Sequence, residues 1–269
     1  MYITSSLKVR SNKNKAIKFV EALWRLIFYS CFVVVGIRVL LFPSRQVWLE
    51  DTTLHWKQWP FHDISPLTNF YYHIQLGCYM HQLMWTEVSR SDAAEMILHH
   101  FATIFLILLS YLTNFTRIGS SILVVHDLAD IFLESAKCFN YVSKNSKTAV
   151  GKACGSCCDV LFGLFAIVFF VTRLVLYPRY MVYSLVYEAP QVLGGAWVGY
   201  YVFAVLLVIL QCLHVFWFYL ISVMIYKLAI KGTVEKDDRS DDEDEIDQDE
   251  SSSSSSSQDT TDNAKKKRN

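Results

Sequence analysis

The stretch ILVVHDLADIFLESAK, Ile122–Lys137, opens as lipid-compatible sequence and then carries a His, three carboxylates and a Lys. On a helix His126 and Asp130 stand at i and i+4, as do Asp130 and Glu134, and Asp127 and Asp130 at i and i+3. The set gathers on one face, which Lys137 continues. One charge at mid-bilayer costs at least about 2.5–3.5 kcal/mol on insertion scales, so such a stripe has to face protein or a water-filled cavity. A His among carboxylates there can move a proton or act as an oriented nucleophile. A structural reading stands beside the chemical one, in which Glu134 and Lys137 pair and lock helices together.

A second polar group, His99–His100, lies in ILHHFATIF. Adjacent residues point about 100° apart on a helix, so both serve one cavity only if it is broad. A His pair near a carboxylate stripe can take or give a proton near neutral pH. The eight His contain no H-x-x-x-H pair, which argues against a di-iron lipid hydroxylase or desaturase. The C-x-x-C within CGSCC (154–158) is half a zinc site with no thioredoxin-like pattern around it. No metal site is expected. A loop Cys beside the membrane is an alternative palmitoylation site.

The elements that position these residues are membrane helices. The 269 residues are 53% hydrophobic and 15% aromatic, and the apolar residues cluster into windows of about 20, the length of a spanning helix. The expectation is an all-α, polytopic transmembrane bundle of about six spans, at about 23–42, 68–86, 96–113, 118–139, 157–177 and 199–227. The organisation is a basic cytosolic lead over 1–22, a membrane domain over 23–231 and a tail over 232–269. The short link at about 114–117 makes spans three and four antiparallel neighbours, which brings His99 and His100 towards the Glu134–Lys137 end with His126 deeper. Pro178 is expected to stop span five, and Pro190, Gly194 and Gly195 to make 178–198 a loop. No internal repeat of the kind expected in a proton-coupled transporter is found.

The net charge of zero hides an asymmetry: residues 1–234 carry 12 acidic and 19 basic side chains, and residues 235–269 carry 13 and 6. With an even number of spans, ten Lys and Arg, among them Lys8, Arg10, Lys144 and Lys152, fall on the side of the termini. Four (Arg45, Lys57, Arg117 and Arg179) fall on the other. Both termini are therefore expected in the cytosol. Trp48, Trp56 and Trp59 are placed at the opposite membrane interface. The acidic, Ser-rich tail is too charged to form a core and is expected to be disordered. Ser240 and Ser256 precede acidic residues, a pattern for an acidophilic kinase, beside the plainer reading of a solubilising tail. Lys266 and Lys267 form a di-lysine pattern that reads as an endoplasmic-reticulum retrieval signal. The sequon NFT (114–116) is expected to be unused because it lies in a short link against the membrane.

The segment HHFATIFLILLSYLTNFTRIGSSILVVHDLADIFLESAKCFNY (99–141) resembles the signature of the ceramide synthases within the TLC-domain membrane family. The likeness is carried by His99–His100, Ser110–Tyr111, Asn114, Arg117–Ile118–Gly119, His126–Asp127, Asp130, Glu134 and Lys137. It extends through KFVEALWRLIFY (18–29), FFVTRLVLYP (169–178), LQCLHVFWFYLI (210–221) and EKDDRSD (235–241). The family pattern adds a membrane segment ahead of KFVEALWR and, in many animal members, a homeobox-like stretch; neither is among these 269 residues.

The resemblance implies transfer of a fatty acyl group from acyl-CoA to the amine of a sphingoid long-chain base. It implies catalytic roles for His99, His100, His126, Asp127 and Asp130, and substrate contacts at Asn114, Arg117, Glu134 and Lys137. Acyl-CoA enters as co-substrate with no other cofactor. The expected partners are the lipid substrate, the bilayer and the tail kinase, with homo- or hetero-dimerisation left open and no nucleic acid. The expected location is the endoplasmic-reticulum membrane. The base must lose a proton before it attacks the thioester. A His held by Asp130 could take that proton, or His126 could accept the acyl group first, with Asp127 and Asp130 orienting the imidazole. The resemblance also gives about Ser184–Val198 a bearing on acyl-chain length. Lys144, Lys147 and Lys152 are candidates to attract coenzyme A phosphates, although positive-inside topology already accounts for them. The rival function is a non-enzymatic, lipid-sensing or translocation-associated TLC-type protein.

Overall fold

A computed structural model of the protein describes residues 2–41, 51–85, 91–145, 148–195 and 198–231. Helices α1 (Tyr2–Leu41), α2 (Pro66–Met84), α3 (Ala93–Leu112), α4 (Thr116–Asn145), α5 (Ala149–Phe169), α6 (Ala189–Leu193) and α7 (Val198–Lys231) account for most of the described residues, which include no strand. The six long helices coincide with the six expected spans, and the protein is an all-α, multi-pass membrane bundle. Four segments are long and apolar enough to cross a membrane by length and composition alone: Ala16–Leu41, Ala93–Leu112, Ala149–Leu193 and Val198–Leu228. Helices α2 and α4 carry too many polar residues to meet that test unaided.

Helix α4 is the hub. It packs against α1, α2, α3, α5 and the stretch that follows α5. From Thr116 to Asp127 every residue but Arg117 is buried, the pattern of a helix enclosed on all sides. Two glycines let neighbours come this close. A Cβ at Gly36 of α1 would run into Val124 and the Tyr71 hydroxyl, and one at Gly119 would meet the Tyr72 hydroxyl and Ser110. Small residues at such crossings are how membrane helices gain contact without a hydrophobic driving force.

Local signals set the ends. Ser65 caps α2 by accepting from the Thr68 N–H at 3.1 Å, with Pro66 in the first turn. Helix α3 is closed by Thr113 and turned by Asn114, whose φ of 59° is one that Asn tolerates, and Phe115 N–H reaches back to Ser110 O at 2.7 Å. The antiparallel α3–α4 hairpin follows from that turn.

Two expectations are corrected. Pro178 does not stop the helix. The chain continues from α5 through π-type winding at Phe170–Val182 and Ser184–Glu188 into α6. There the Tyr183 N–H bonds Pro178 O and the Ala189 N–H bonds Ser184 O, five residues back. This wider winding carries a proline that an α-helical interior would kink or reject. The break comes at Gly194 and Gly195, with φ of 72° and 138°, a glycine terminus. Helix α1 runs on from the basic lead into span one without a break, which does not bear on the expected cytosolic lead. Finally, Trp56 is not at an exposed interface but fully buried. The tail 232–269, Arg45, Trp48, Arg90 and Lys147 lie outside the described residues.

Residues 51–65 form a cap over the α3–α4 turn. Asn114 Nδ2 donates to Pro60 O at 2.7 Å and His62 O at 2.9 Å. Arg117 Nη1 donates to Leu54 O and Lys57 O at 3.0 and 2.9 Å. His55 meets Ser121, and His62 meets Thr116, each at 3.2 Å. Ser121 already donates to Arg117 O, so His55 Nε2–H is the donor in its pair. Burial pushes the pKa of His55 and of His62 down from 6.5 to about 4. Arg117 lowers both further, while Asp51 opposes for His55 and Asp63 for His62.

Between about pH 4 and 6.5 the unfolded chain binds protons that the folded cap refuses, so stability is full above 6.5 and is lost as the pH falls through that window. Melting in detergent from pH 7.5 to 4 is expected to show this slope, with His55→Gln flattening it; a pH-independent melt contradicts the assignment.

Candidate active site

His126 sits in the buried half of α4, and its two ring nitrogens have different partners. Nδ1 lies 2.7 Å from Ile122 O, one turn back. A carbonyl only accepts, so Nδ1 carries the proton. In the neutral ring Nε2 is then a lone pair. It faces His214 Nε2 of α7 at 2.9 Å, so His214 donates through Nε2–H. Tyr177 covers both rings edge-on, at 5.4 and 4.9 Å between centroids.

His99 of α3 stacks on His126 at 6.5 Å and 28°, with the edge of Trp217 at 5.2 Å. His100 is the next ring, 5.6 Å from His99, with Tyr79 of α2 beside both. The paired imidazoles therefore lie at the level of His126, not at the Glu134–Lys137 end. The hairpin places residues roughly equidistant from Asn114 side by side, and the His99 ring meets Trp217 of α7.

The carboxylates do not touch the imidazole. Asp127 is fully buried and accepts from Gln75 Nε2 of α2, while its Oδ1 has no hydrogen-bond partner. Asp130 accepts from Arg173 Nη2 at 3.2 Å on both oxygens, and the same Nη2 donates to His126 O at 2.9 Å. Arg173 comes from the π-wound stretch, is 5% exposed and lies over the Phe169 ring. Asp130 thus steadies the His126 backbone through Arg173, where the sequence suggested a direct grip on the ring. Glu134 pairs with Lys137 at 2.8 Å and with Arg25 of α1 at 3.4 Å, so the stripe divides into a part bound by Gln75 and Arg173 and an ionic lock between α4 and α1. Asn114 and Arg117 stand apart: Arg117 is nine residues, about 13 Å along the helix, from His126, and their donors hold the cap.

Three residues of this site were not singled out by pattern: His214, Arg173 and Gln75. A signal for two of them exists in the sequence. His214 and Arg173 are ionisable residues in apolar segments, and such residues are functional candidates by default; Gln75 is one of several polar residues of α2 and carries no such signal.

From His126 a narrow apolar slot runs between α3, α4 and α7 along Leu106, Ile107, Ile122, Leu123, Leu210 and Phe203, with Ser110 and Gly119 at its far end. A basic-nitrogen lone pair at the head of an apolar slot, among buried His99 Nδ1, His100 Nδ1 and Thr103 Oγ1 that lack partners, is an arrangement for chemistry on the head of a lipid chain.

Residues 18–223 match the TLC domain family model. The chain belongs to the TLC-domain family of membrane proteins, in its ceramide synthase group. It is 41% identical over 228 residues to ceramide synthase 4 of Bos taurus and 39% over 226 to that of Mus musculus, in each case 83% of this chain and 54% of the relative. It is 33% identical over 250 residues to ceramide synthase LOH2 of Arabidopsis thaliana, 88% of this chain and 80% of that protein. The chain spans about half the length of the animal relatives.

Breaking the Arg173–Asp130 pair strands a buried charge. Arg173→Leu is expected to destabilise the detergent-solubilised protein by about 3 kcal/mol, and Arg173→Leu with Asp130→Leu to recover most of it. A double variant no better than the single one contradicts the pairing.

Proposed function

We propose that the protein is an acyl-CoA-dependent N-acyltransferase that joins a fatty acyl group to the amine of a sphingoid long-chain base, forming (dihydro)ceramide in the endoplasmic-reticulum membrane. The observation that carries this reading is the His126 Nε2 lone pair, held in one tautomer by Ile122 O, at the head of the apolar slot. The ceramide synthase names of its relatives support it.

In the two-step route, Nε2 of His126 attacks the thioester carbon and the C–S bond breaks, leaving coenzyme A thiolate and an acyl-imidazolium whose Nδ1–H stays on Ile122 O. The Nε2–H of His214, which marks the approach to the lone pair, turns to the carbonyl oxygen and stabilises the oxyanion. The amine arrives as an ammonium and gives one proton to a neutral imidazole, His99 or His100. Its lone pair then takes the acyl carbon and returns the bonding pair to His126. The second amine proton neutralises the departed thiolate. Asp127, with one free carboxylate oxygen, receives the amine, and Asp130 holds His126 in place through Arg173. Glu134, Lys137 and Arg25 flank the entrance, with Lys144 and Lys152 beyond it to attract coenzyme A phosphates. Asn114 and Arg117 act on substrate through the cap.

Microsomes containing the protein are expected to convert sphinganine and acyl-CoA to dihydroceramide, with His126→Ala lowering turnover at least about 10²-fold and Asp130→Ala abolishing it while both variants insert. Acyl-CoA without base is expected to leave an acyl adduct on His126. Absence of product at every chain length favours the non-enzymatic reading; turnover without the adduct favours direct transfer. Protease added to intact microsomes should trim the acidic tail, and full protection would reverse the cytosolic C-terminus.

A further inference from the structure

The far end of the slot is an aromatic relay that leads out to the cap. Phe203 of α7 lines the slot and is fully buried. Its ring stands edge-on to Phe115 at 5.6 Å, and Phe115 stands edge-on to Trp56 at 5.2 Å. Trp56 comes from the cap, not from a helix of the bundle. Its indole Nε1–H donates to Ser184 Oγ at 2.9 Å. Ser184 donates to Glu188 Oε2 at 2.7 Å, and Glu188 Oε1 accepts from Thr52 Oγ1 at 2.6 Å, back on the cap. The indole is thus fixed from both sides, and the rings behind it have nowhere to move.

Two independent walks place this relay relative to the chemistry. Phe203 precedes His214 by eleven residues on α7, about 16 Å, and Thr116 precedes His126 by ten on α4, about 15 Å. An acyl group bonded to His126 Nε2 would send its methylenes down the slot towards Phe203.

We propose that the Trp56–Phe115–Phe203 stack is the end wall of the acyl slot and limits the chain length accepted, with Trp56 as a positioning residue that acts through the other two. The proposal rests on the acyl-transfer reading above. It makes the cap a specificity element although the cap does not line the slot. A methylene that fits or fails to fit an apolar pocket changes selectivity by about 10–200-fold, so moving one ring is enough.

The test uses the full chain in microsomes, sphinganine and a series of saturated acyl-CoAs two carbons apart. Phe203→Ala is expected to raise the rate on the next longer acyl-CoA, relative to the wild-type optimum, by about tenfold. Phe203→Leu and Trp56→Phe are expected to move the ratio in the same direction by less. If Phe203→Ala is not recovered folded, Phe203→Leu decides by the same ratio. An active wild type with an unchanged profile in the folded variants overturns the end wall and leaves the acyl-transfer reading standing. A wild type that makes no amide with any acyl-CoA overturns that reading, and the wall with it.

Discussion

An isolated charge in hydrocarbon costs at least about 2.5–3.5 kcal/mol on insertion scales, and α4 places three carboxylates within residues 127–134. The architecture answers that constraint. Helices α1, α2, α3 and α5 and the π-wound stretch surround α4, and each carboxylate meets a donor from a different neighbour: Gln75 on α2 for Asp127, Arg173 for Asp130, Arg25 on α1 for Glu134. The polar pairs are therefore also the links between helices. A bundle that lost one neighbour would leave a buried group unpaired, which costs more than the pair itself contributes.

The same arrangement prepares His126. Its tautomer is set within α4 by Ile122 O, and its backbone is held from outside by Arg173. Its lone pair is aimed at α7, where His214 waits with a proton. Preorganisation of this kind keeps a ring fixed where a reaction needs both direction and a defined protonation site. The π-type winding around Pro178 belongs to this scheme. Wider winding in the stretch that carries Arg173 occurs where helices serve functional sites.

The cap extends this order beyond the bundle. Asn114 and Arg117 spend their donors on backbone carbonyls of residues 54–62, and Trp56 enters the core behind Phe115. The loop is thereby part of the packed interior, and burial keeps its histidines neutral, His55 against the Ser121 hydroxyl and His62 against that of Thr116.

The sequence by itself determined the class of fold, the six long helices and the antiparallel α3–α4 hairpin, and it marked His99, His100, His126, Asp127 and Asp130 as polar groups that need a protein environment. These are encoded locally, in apolar length, in helical spacing and in the cost of charge in lipid. Tertiary structure alone decided which group meets which. His214 lies 88 residues from His126 and Arg173 lies 43 from Asp130, and no periodicity along one helix specifies contacts across that separation. The continuation through Pro178 was equally hidden, because a proline reads as a stop unless the winding that accommodates it is seen. Spacing shows that a stripe needs partners; only packing chooses Gln75, Arg173 and Arg25 to supply them.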